Sequence, residues 1–296
     1  MRHFRTFSCL FFFLLVGTAY SERGDKDSSE KSSFRVMQFN ILQGWDSCHE
    51  SETAGYEWER RRESVVKMIR HRRPDIICIQ EARKRQCDFL QERCPEYSQI
   101  LYPKDGHPER GGQRNLIMYR TDMFKCLRKK FFWFSETPNV PSFSWDAKTP
   151  KLTLLAQLKP IRKEYGTKKF YVYCAHFFPY GDIGKQQCSN MILESIKKET
   201  GKRQPVLFCG DLNLKYLDCR LDTLLTYMQD AAVAAEVSDG PKKVTYNGFR
   251  NKNQKALDHI YGRNVVFKSY HVDQDAGYGI KWISDHYPVY VDVILK

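Results

Sequence analysis

Pro205-Val206-Leu207-Phe208-Cys209-Gly210-Asp211-Leu212-Asn213-Leu214 is the stretch whose reading decides the fold. Residues 206–209 are a short apolar run with a proline before it and Gly210 after it, the composition of a buried strand that stops at the glycine. Just past its end stand an acid and an amide, Asp211 and Asn213. Side chains two apart in an extended segment point the same way, so both face one cavity. Beyond strand ends is also where open α/β sheets bind ligands. The competing reading is a polar turn that caps the next helix, because Asp and Asn favour turns in any protein. What decides between them is whether other strands end in matching chemistry.

Several do. Residues 34–42 alternate, with Met37, Phe39 and Ile41 on one side and Val36, Gln38 and Asn40 on the other, a strand ending at Asn40. From Glu57 the spacing turns helical, and Trp58, Val65, Met68 and Ile69 form an apolar stripe that Pro74 closes. Residues 76–79 read as a second strand ending at Gln80 and Glu81. Strand, helix and strand at this spacing are the mark of an α/β protein. Downstream the pattern predicts a short helix with Cys87, Leu90 and Gln91 turned inward, and strands over 115–119, 152–158 and 170–175, the last ending at His176. A helix over 185–200 follows, and another from about Cys219 with Leu221, Leu224, Leu225 and Met228 inward. Residues 256–261, containing Asp258, and 289–295 are the remaining strands, with Ser284, Asp285 and His286 just before the last.

The amino terminus carries Arg2 and Arg5, then an apolar run over 7–16, then Gly17, Thr18 and Ala19. That layout is a secretory signal peptide, assigned to residues 1–21, and predicts a secreted protein. Residues 22–33 are a polar, flexible leader, and 34–296 hold the folded domain. Hydrophobic residues make up 42% of the chain, enough for a real core. The net charge is +13, gathered in clusters at 60–62, 70–73, 83–85, 128–130 and 242–243. Such an excess attracts polyanions: nucleic acid, an anionic membrane surface or a glycosaminoglycan. Of ten cysteines, Cys9 leaves with the signal peptide, and Cys78, Cys174 and Cys209 sit inside apolar runs as small hydrophobes. Cys48, Cys87, Cys94, Cys126, Cys188 and Cys219 are the disulfide candidates of an oxidising compartment.

The polar strand ends are thus Asn40, Glu81, His176, Asp211, Asn213, Asp258, Asp285 and His286. Carboxylates and amide oxygens suit a hard cation, Mg²⁺ or Mn²⁺. Imidazoles beside them can donate hydrogen bonds to developing negative charge. No serine or cysteine motif supplies a covalent nucleophile.

These residues carry a resemblance. VMQFNI at 36–41, RPDIICIQE at 73–81, YCAHF at 173–177, CGDLN at 209–213, ALDHIY at 256–261 and SDHYPV at 284–289 stand in the order of the endonuclease/exonuclease/phosphatase superfamily. The chain resembles that family from Phe34 to Lys296, and FWFSETP at 132–138 and TYNGF at 245–249 resemble its small, often secreted branch. The resemblance implies a deoxyribonuclease I-like, two-sheet α/β sandwich with helices on the outer faces and the site in the cleft between sheet edges. It implies Glu81 as the principal Mg²⁺ ligand, completed by Asn40 and Asp285. Asp211 would orient or deprotonate the attacking water, and Asn213 would hold the phosphate or that water. His286, aligned by Asp258, and His176 would stabilise the pentacoordinate phosphorus. Phosphoryl transfer asks for that kit: a cation, a positioned water and neutralised equatorial oxygens.

Two departures bear on substrate. Phe178 stands where many relatives have an acid, and Gly112-Gln113 where they often have Gly-Glu, so the pocket is less negative. Phe177, Phe178 and Tyr180 read as an aromatic wall for a base or a lipid headgroup, and Asn115 and Trp145 as residues lining the cleft. The expected function is a secreted, Mg²⁺-dependent phosphodiesterase, with nucleic acid preferred on charge. The alternatives are a sphingomyelinase-like phospholipase C, with residues 131–134 or 177–180 as exposed apolar loops, a small-molecule phosphatase acting on nucleotides or inositols, or a non-catalytic binding protein that kept the fold.

Overall fold

A computed structural model of the chain describes residues 1, 31–44, 55–110, 112–250 and 254–296. The expected signal peptide beyond Met1, the leader before Lys31, and Cys48 lie outside the described residues. Lys31–Lys296 form one unit.

In chain order the elements are β1 (Phe34–Asn40), α1 (Trp58–Arg72), β2 (Ile76–Ala82), α2 (Lys84–Arg93), β3 (Tyr97–Pro103), β4 (Arg114–Arg120) and β5 (Phe124–Trp133). Then come β6 (Leu152–Pro160), β7 (Phe170–His176), α3 (Asp182–Glu199), β8 (Val206–Asp211) and the single turn α4 (Asp222–Leu225). The chain closes with β9 (Gln229–Asp230), α5 (Ala231–Ala234), β10 (Val237–Ser238), β11 (Asp258–Arg263), β12 (Val265–Val272) and β13 (Val289–Leu295). They build a seven-stranded sheet in the order β10-β12-β13-β1-β2-β4-β3 and a six-stranded sheet in the order β5-β6-β7-β8-β11-β9.

The two sheets face each other across an apolar layer. Val36, Cys78, Ile117 and Val291 of the first sheet join Leu154, Val172, Cys174 and Leu207 of the second in one buried cluster. The opposite face of β1 and β2 gives Met37, Phe39, Ile77 and Ile79 to a second cluster with Val65, Met68 and Ile69 of α1. Likewise Tyr173 and Phe208 meet Cys188, Ile192 and Ile196 of α3. This is a two-sheet α/β sandwich with helices outside. Central strands buried on both faces read as unbroken apolar runs, which is why 76–79, 170–175 and 206–209 were legible.

Several expectations need correction. Gln91 is exposed, and Gln86 is the buried amide of α2, donating to Leu42 O and accepting from Gly44 N. The helix expected from Cys219 amounts to a 3₁₀ turn and α4, because the chain turns at Met228 into β9, which pairs with β11. The strands β3, β5 and β12 escaped the reading. β5 and β12 each carry a register shift, at Cys126/Arg128 and Phe267/Ser269, and a bulge breaks the alternation that betrays a strand.

The disulfide candidates also differ. Cys87, Cys94, Cys126, Cys188 and Cys219 are free thiols, with Cys87, Cys94 and Cys188 buried under helices α2 and α3 or at the end of α2. Burial pushes the thiols of Cys87 and Cys94 up, to about 12 and about 11. They act as small core hydrophobes, as Cys78, Cys174 and Cys209 do.

Candidate active site

Strand register assembles the site. In parallel β7 and β8, His176 lies opposite Asp211, and in antiparallel β8 and β11, Asp211 lies opposite Asp258. Three candidate residues therefore stand in one row across three central strands. From the facing sheet, β1 ends at Asn40, opposite Gln80 of β2. A register shift in β2 between Ile79 and Ala82 leaves Glu81 at φ 67°. A left-handed non-glycine residue costs about 1–3 kcal/mol, and such strain gathers at functional sites. Asn213, at φ 50°, is of the type that tolerates this conformation. The segment carrying Asp285 and His286 is tied down by Asn247 N and Gly248 N, which donate to Asp285 O at 2.8 and 3.1 Å.

Asp211 is the hub. Its Oδ2 accepts from Asn40 Nδ2 at 2.9 Å and lies 3.6 Å from His176 Nε2 and 3.7 Å from His286 Nε2. Its Oδ1 accepts from Asn213 N at 3.1 Å. His286 Nδ1 meets Asp258 Oδ2 at 2.7 Å, while Asp258 Oδ1 accepts from Gln38 Nε2 at 3.3 Å. Glu81 Oε1 lies 3.9 Å from His176 Nε2 and accepts from Asn40 Nδ2 at 3.4 Å. Glu81 Oε2 accepts from Gln43 N and Gln113 Nε2. Asn213 Nδ2 donates to Phe177 O at 3.2 Å. All eight expected residues are thus brought to one place, Asp285 through its neighbour His286 and its charge coupling to Glu81.

Burial sets the charges. It raises the Asp211 carboxyl to about 6, against the pull of His286, a value in the range that suits a general base. Burial also opposes a charge on His286, but Asp258 and Asp211 outweigh it and raise the imidazole well above its usual range. The Asp258 carboxyl is correspondingly held below its usual range by His286, despite its burial. Asp258 and His286 form an ion pair. His176 goes the other way: burial and the neighbouring Lys151 keep it neutral.

Two groups offer themselves to a metal. Asp211, Asp258 and His286 place ligand atoms within 4.8 Å of one another. An imidazolium bonded to a carboxylate has no lone pair to give, so we read Asp258 and His286 as a dyad rather than as ligands. The carboxylates of Glu81 and Asp285 beside Asn40 are a hard-oxygen, thiol-free set that fits Mg²⁺ or Mn²⁺. Asn40 turns its NH₂ to the carboxylates while its Oδ1 accepts from Leu42 N at 3.0 Å, so ligation by Asn40 takes a rotation of that amide.

Other expected lining residues fall elsewhere. Phe177 and Phe178 are buried among Phe134 and Phe208 and offer no wall; of that run Tyr180 is the exposed ring. Phe131 is stacked on Tyr102 at 3.6 Å. Asn115 spans the two sheets by donating to Leu152 O and Cys174 O, and Trp145 is half-buried at φ 59°. The sequence reading missed buried cations beside the site, among them Arg61 and Lys151. Arg61 donates to Ile41 O at 2.8 Å and Ile283 O at 2.7 Å, clamping the end of β1 to the segment that bears His286. Lys151, just before β6, places Nζ 2.9 Å from His176 Nε2.

The endonuclease/exonuclease/phosphatase family model matches residues 37–286. The chain belongs to that family. Within it the chain is 28% identical over 276 residues to the uncharacterized protein L388 of Acanthamoeba polyphaga mimivirus, spanning 87% of this chain and 98% of that one. It is 27% identical over 198 residues to nocturnin of Mus musculus, spanning 63% of this chain but 44% of nocturnin. Among solved structures, the mannosyl-6-phosphatase of Bacteroides thetaiotaomicron superposes with a TM-score of 0.80 at 26% identity, over 89% of this chain and all of that one. Family membership and the assembled row of acids and imidazoles make this chain a phosphoester hydrolase.

Proposed function

We propose that this family member is a divalent-metal-dependent hydrolase of a small phosphate ester, with Asp211 activating the attacking water. The observation that carries the reading is the position of Asp211: buried, held by Asn40 and Asn213 N, and flanked by two imidazoles. Asp211 takes a proton from a water aligned on the phosphorus. Asn40 and Asn213 N fix the carboxylate that does so, and its raised pKa matches the task. The His286 imidazolium, oriented by Asp258, donates to a phosphoryl oxygen as charge builds there. Neutral His176 adds a ring nitrogen beside the same oxygens. Glu81, Asp285 and a rotated Asn40 would hold the cation, which supplies Lewis-acid stabilisation of the phosphoryl group when bound.

The fate of the basic residues supports a small ester. Arg61 is buried, Arg62 pairs with Glu59, Arg72 with Asp273, Arg120 with Asp122, and Arg128 and Lys130 share Glu199. Those six side chains are buried or paired with carboxylates of the fold. The full-length likeness to a mannosyl-6-phosphatase, at 26% identity, supports the same reading. Nucleic acid is the second reading, favoured by the net charge of +13.

The test is product release by the purified protein with Mg²⁺ on sugar phosphates, nucleotides, single-stranded RNA, plasmid DNA and sphingomyelin. Phosphate release from the small esters, abolished by EDTA and restored by Mg²⁺, is expected. Cleavage confined to the polymers would move the second reading to first place, and no hydrolysis of any ester would remove both.

A further inference from the structure

Lys151 is a buried cation to which the hydrolytic reading gives no contact with substrate. Its only hydrogen-bond partner among the described residues is His176, at 3.0 Å from Nδ1 and 2.9 Å from Nε2. A neutral imidazole offers one lone pair, so it accepts one of three ammonium protons. Glu81 and Asp211 approach the same Nε2 of His176 and act on Lys151 through their charge, but no carboxylate comes within 4.0 Å of Lys151 among the described residues. A buried cation left so far short of partners is costly and persists where an anion arrives to complete it.

The backbone holds that cation ready. Phe134 N donates to Lys151 O at 2.9 Å, and Leu152 O, the next carbonyl, accepts from Asn115 at 2.8 Å. Lys151 immediately precedes β6, whose neighbour β7 carries His176, so the ammonium sits beside the imidazole that flanks Asp211. Lys104, half-buried after β3, is near enough to feel the charges of Glu81 and Lys151 and likewise forms no ion pair among the described residues.

We infer that Lys151 reads the terminal phosphate of a phosphomonoester, completing its donors on the oxygen that a phosphodiester would carry as an ester. A monoester at neutral pH brings two negative charges to this corner and a diester one; the Lys151 ammonium, added to the His286 imidazolium, is matched to the former. The inference rests on the hydrolase reading above and names its substrate class. Lys151 acts as a substrate-binding and specificity residue, with His176 as its positioning partner.

Wild type, Lys151→Met and Lys151→Arg would be assayed with Mg²⁺ on p-nitrophenyl phosphate and bis(p-nitrophenyl) phosphate. In Lys151→Met the ratio of monoester to diester kcat/KM should fall roughly tenfold to a hundredfold, the loss of a charged hydrogen bond, and Lys151→Arg should recover part of it. Equal losses on both esters would assign Lys151 to structure and overturn the inference. If Lys151→Met does not fold, wild type alone decides: titration calorimetry must show inorganic phosphate binding at least tenfold tighter than dimethyl phosphate, and equal affinity overturns the inference. Wild type that cleaves only the diester overturns the monoester class while leaving the hydrolase standing; wild type that cleaves neither overturns the hydrolase reading itself.

Discussion

His176 is the direct cross-strand partner of Asp211 in parallel strands β7 and β8, and their side chains meet at 3.6 Å. Main-chain hydrogen bonds in the middle of a sheet set that pairing, so the carboxylate and its flanking imidazole are placed by register and not by loop conformation. Asp258 is fixed on the other side of Asp211 in the same way. A site built on strands in this manner holds its geometry tightly, and its variants should separate chemistry from folding.

Asp211→Asn tests that separation. Removing the base should lower kcat about 10²–10⁴-fold. Stability should move the other way. Asp211 is raised from 3.8 to about 6 by burial, so its stabilising contribution is complete below pH 3.8 and lost as pH rises through about 6. At pH 7 the variant should therefore be more stable than wild type by about 2–3 kcal/mol. Below pH 3.8 that advantage should vanish. Thermal melts at both pH values check this; a variant less stable than wild type at pH 7 would contradict it.

The pH dependence of kcat/KM should show a rising limb near pH 6, where Asp211 loses its proton, and activity should persist past neutrality because His286 stays charged. Stopped assays across the range would show it. A rate that falls between pH 5 and 7 would refute the assignment of base and acid.

Asp258→Asn leaves a buried imidazole without the carboxylate 2.7 Å from its Nδ1. The pKa of His286 should drop, so activity should fall more at pH 8 than at pH 6. Breaking the buried pair should also destabilise the fold by about 3–5 kcal/mol. Proton NMR of the His286 ring against pH reads the first effect and chemical denaturation the second. An unmoved His286 titration would dissolve the dyad.

Gly210→Ala probes the register. A Cβ at Gly210 would meet Ala175 O at 2.8 Å, main chain against side chain, beside the His176–Asp211 pair. The strands must part slightly, at a cost of about 1–3 kcal/mol. Since the displacement falls on the catalytic row, kcat should drop more than KM rises. Wild-type kcat in this variant would mean that the row tolerates movement.

How far the chain could be read in advance follows from where each residue stands. Glu81, His176 and Asp211 were legible because each ends an apolar run buried on both faces, and Asn40 because it ends an alternating strand. Lys151 was not, because a lysine at the head of KLTLLAQL looks like any solvated strand start; only the imidazole packed on it reveals it. Arg61 lay hidden in a basic cluster between exposed Arg60 and half-buried Arg62, and its partners, Ile41 O and Ile283 O, are carbonyls that leave no trace in sequence. Phe177 and Phe178 misled in the opposite sense: an aromatic run beside a site reads as a wall, but helix α3 and Phe134 cover it. Gln113 read as a lost acid and is instead a donor to Glu81.

Hydrolysis in ¹⁸O-labelled water tests the central claim most directly. With Mg²⁺ and a phosphate ester, one labelled oxygen should appear in the released phosphate and none in the alcohol. Asp211→Asn should slow label transfer in step with product release. Label in the alcohol, or full-rate transfer in the variant, would contradict a water activated by Asp211.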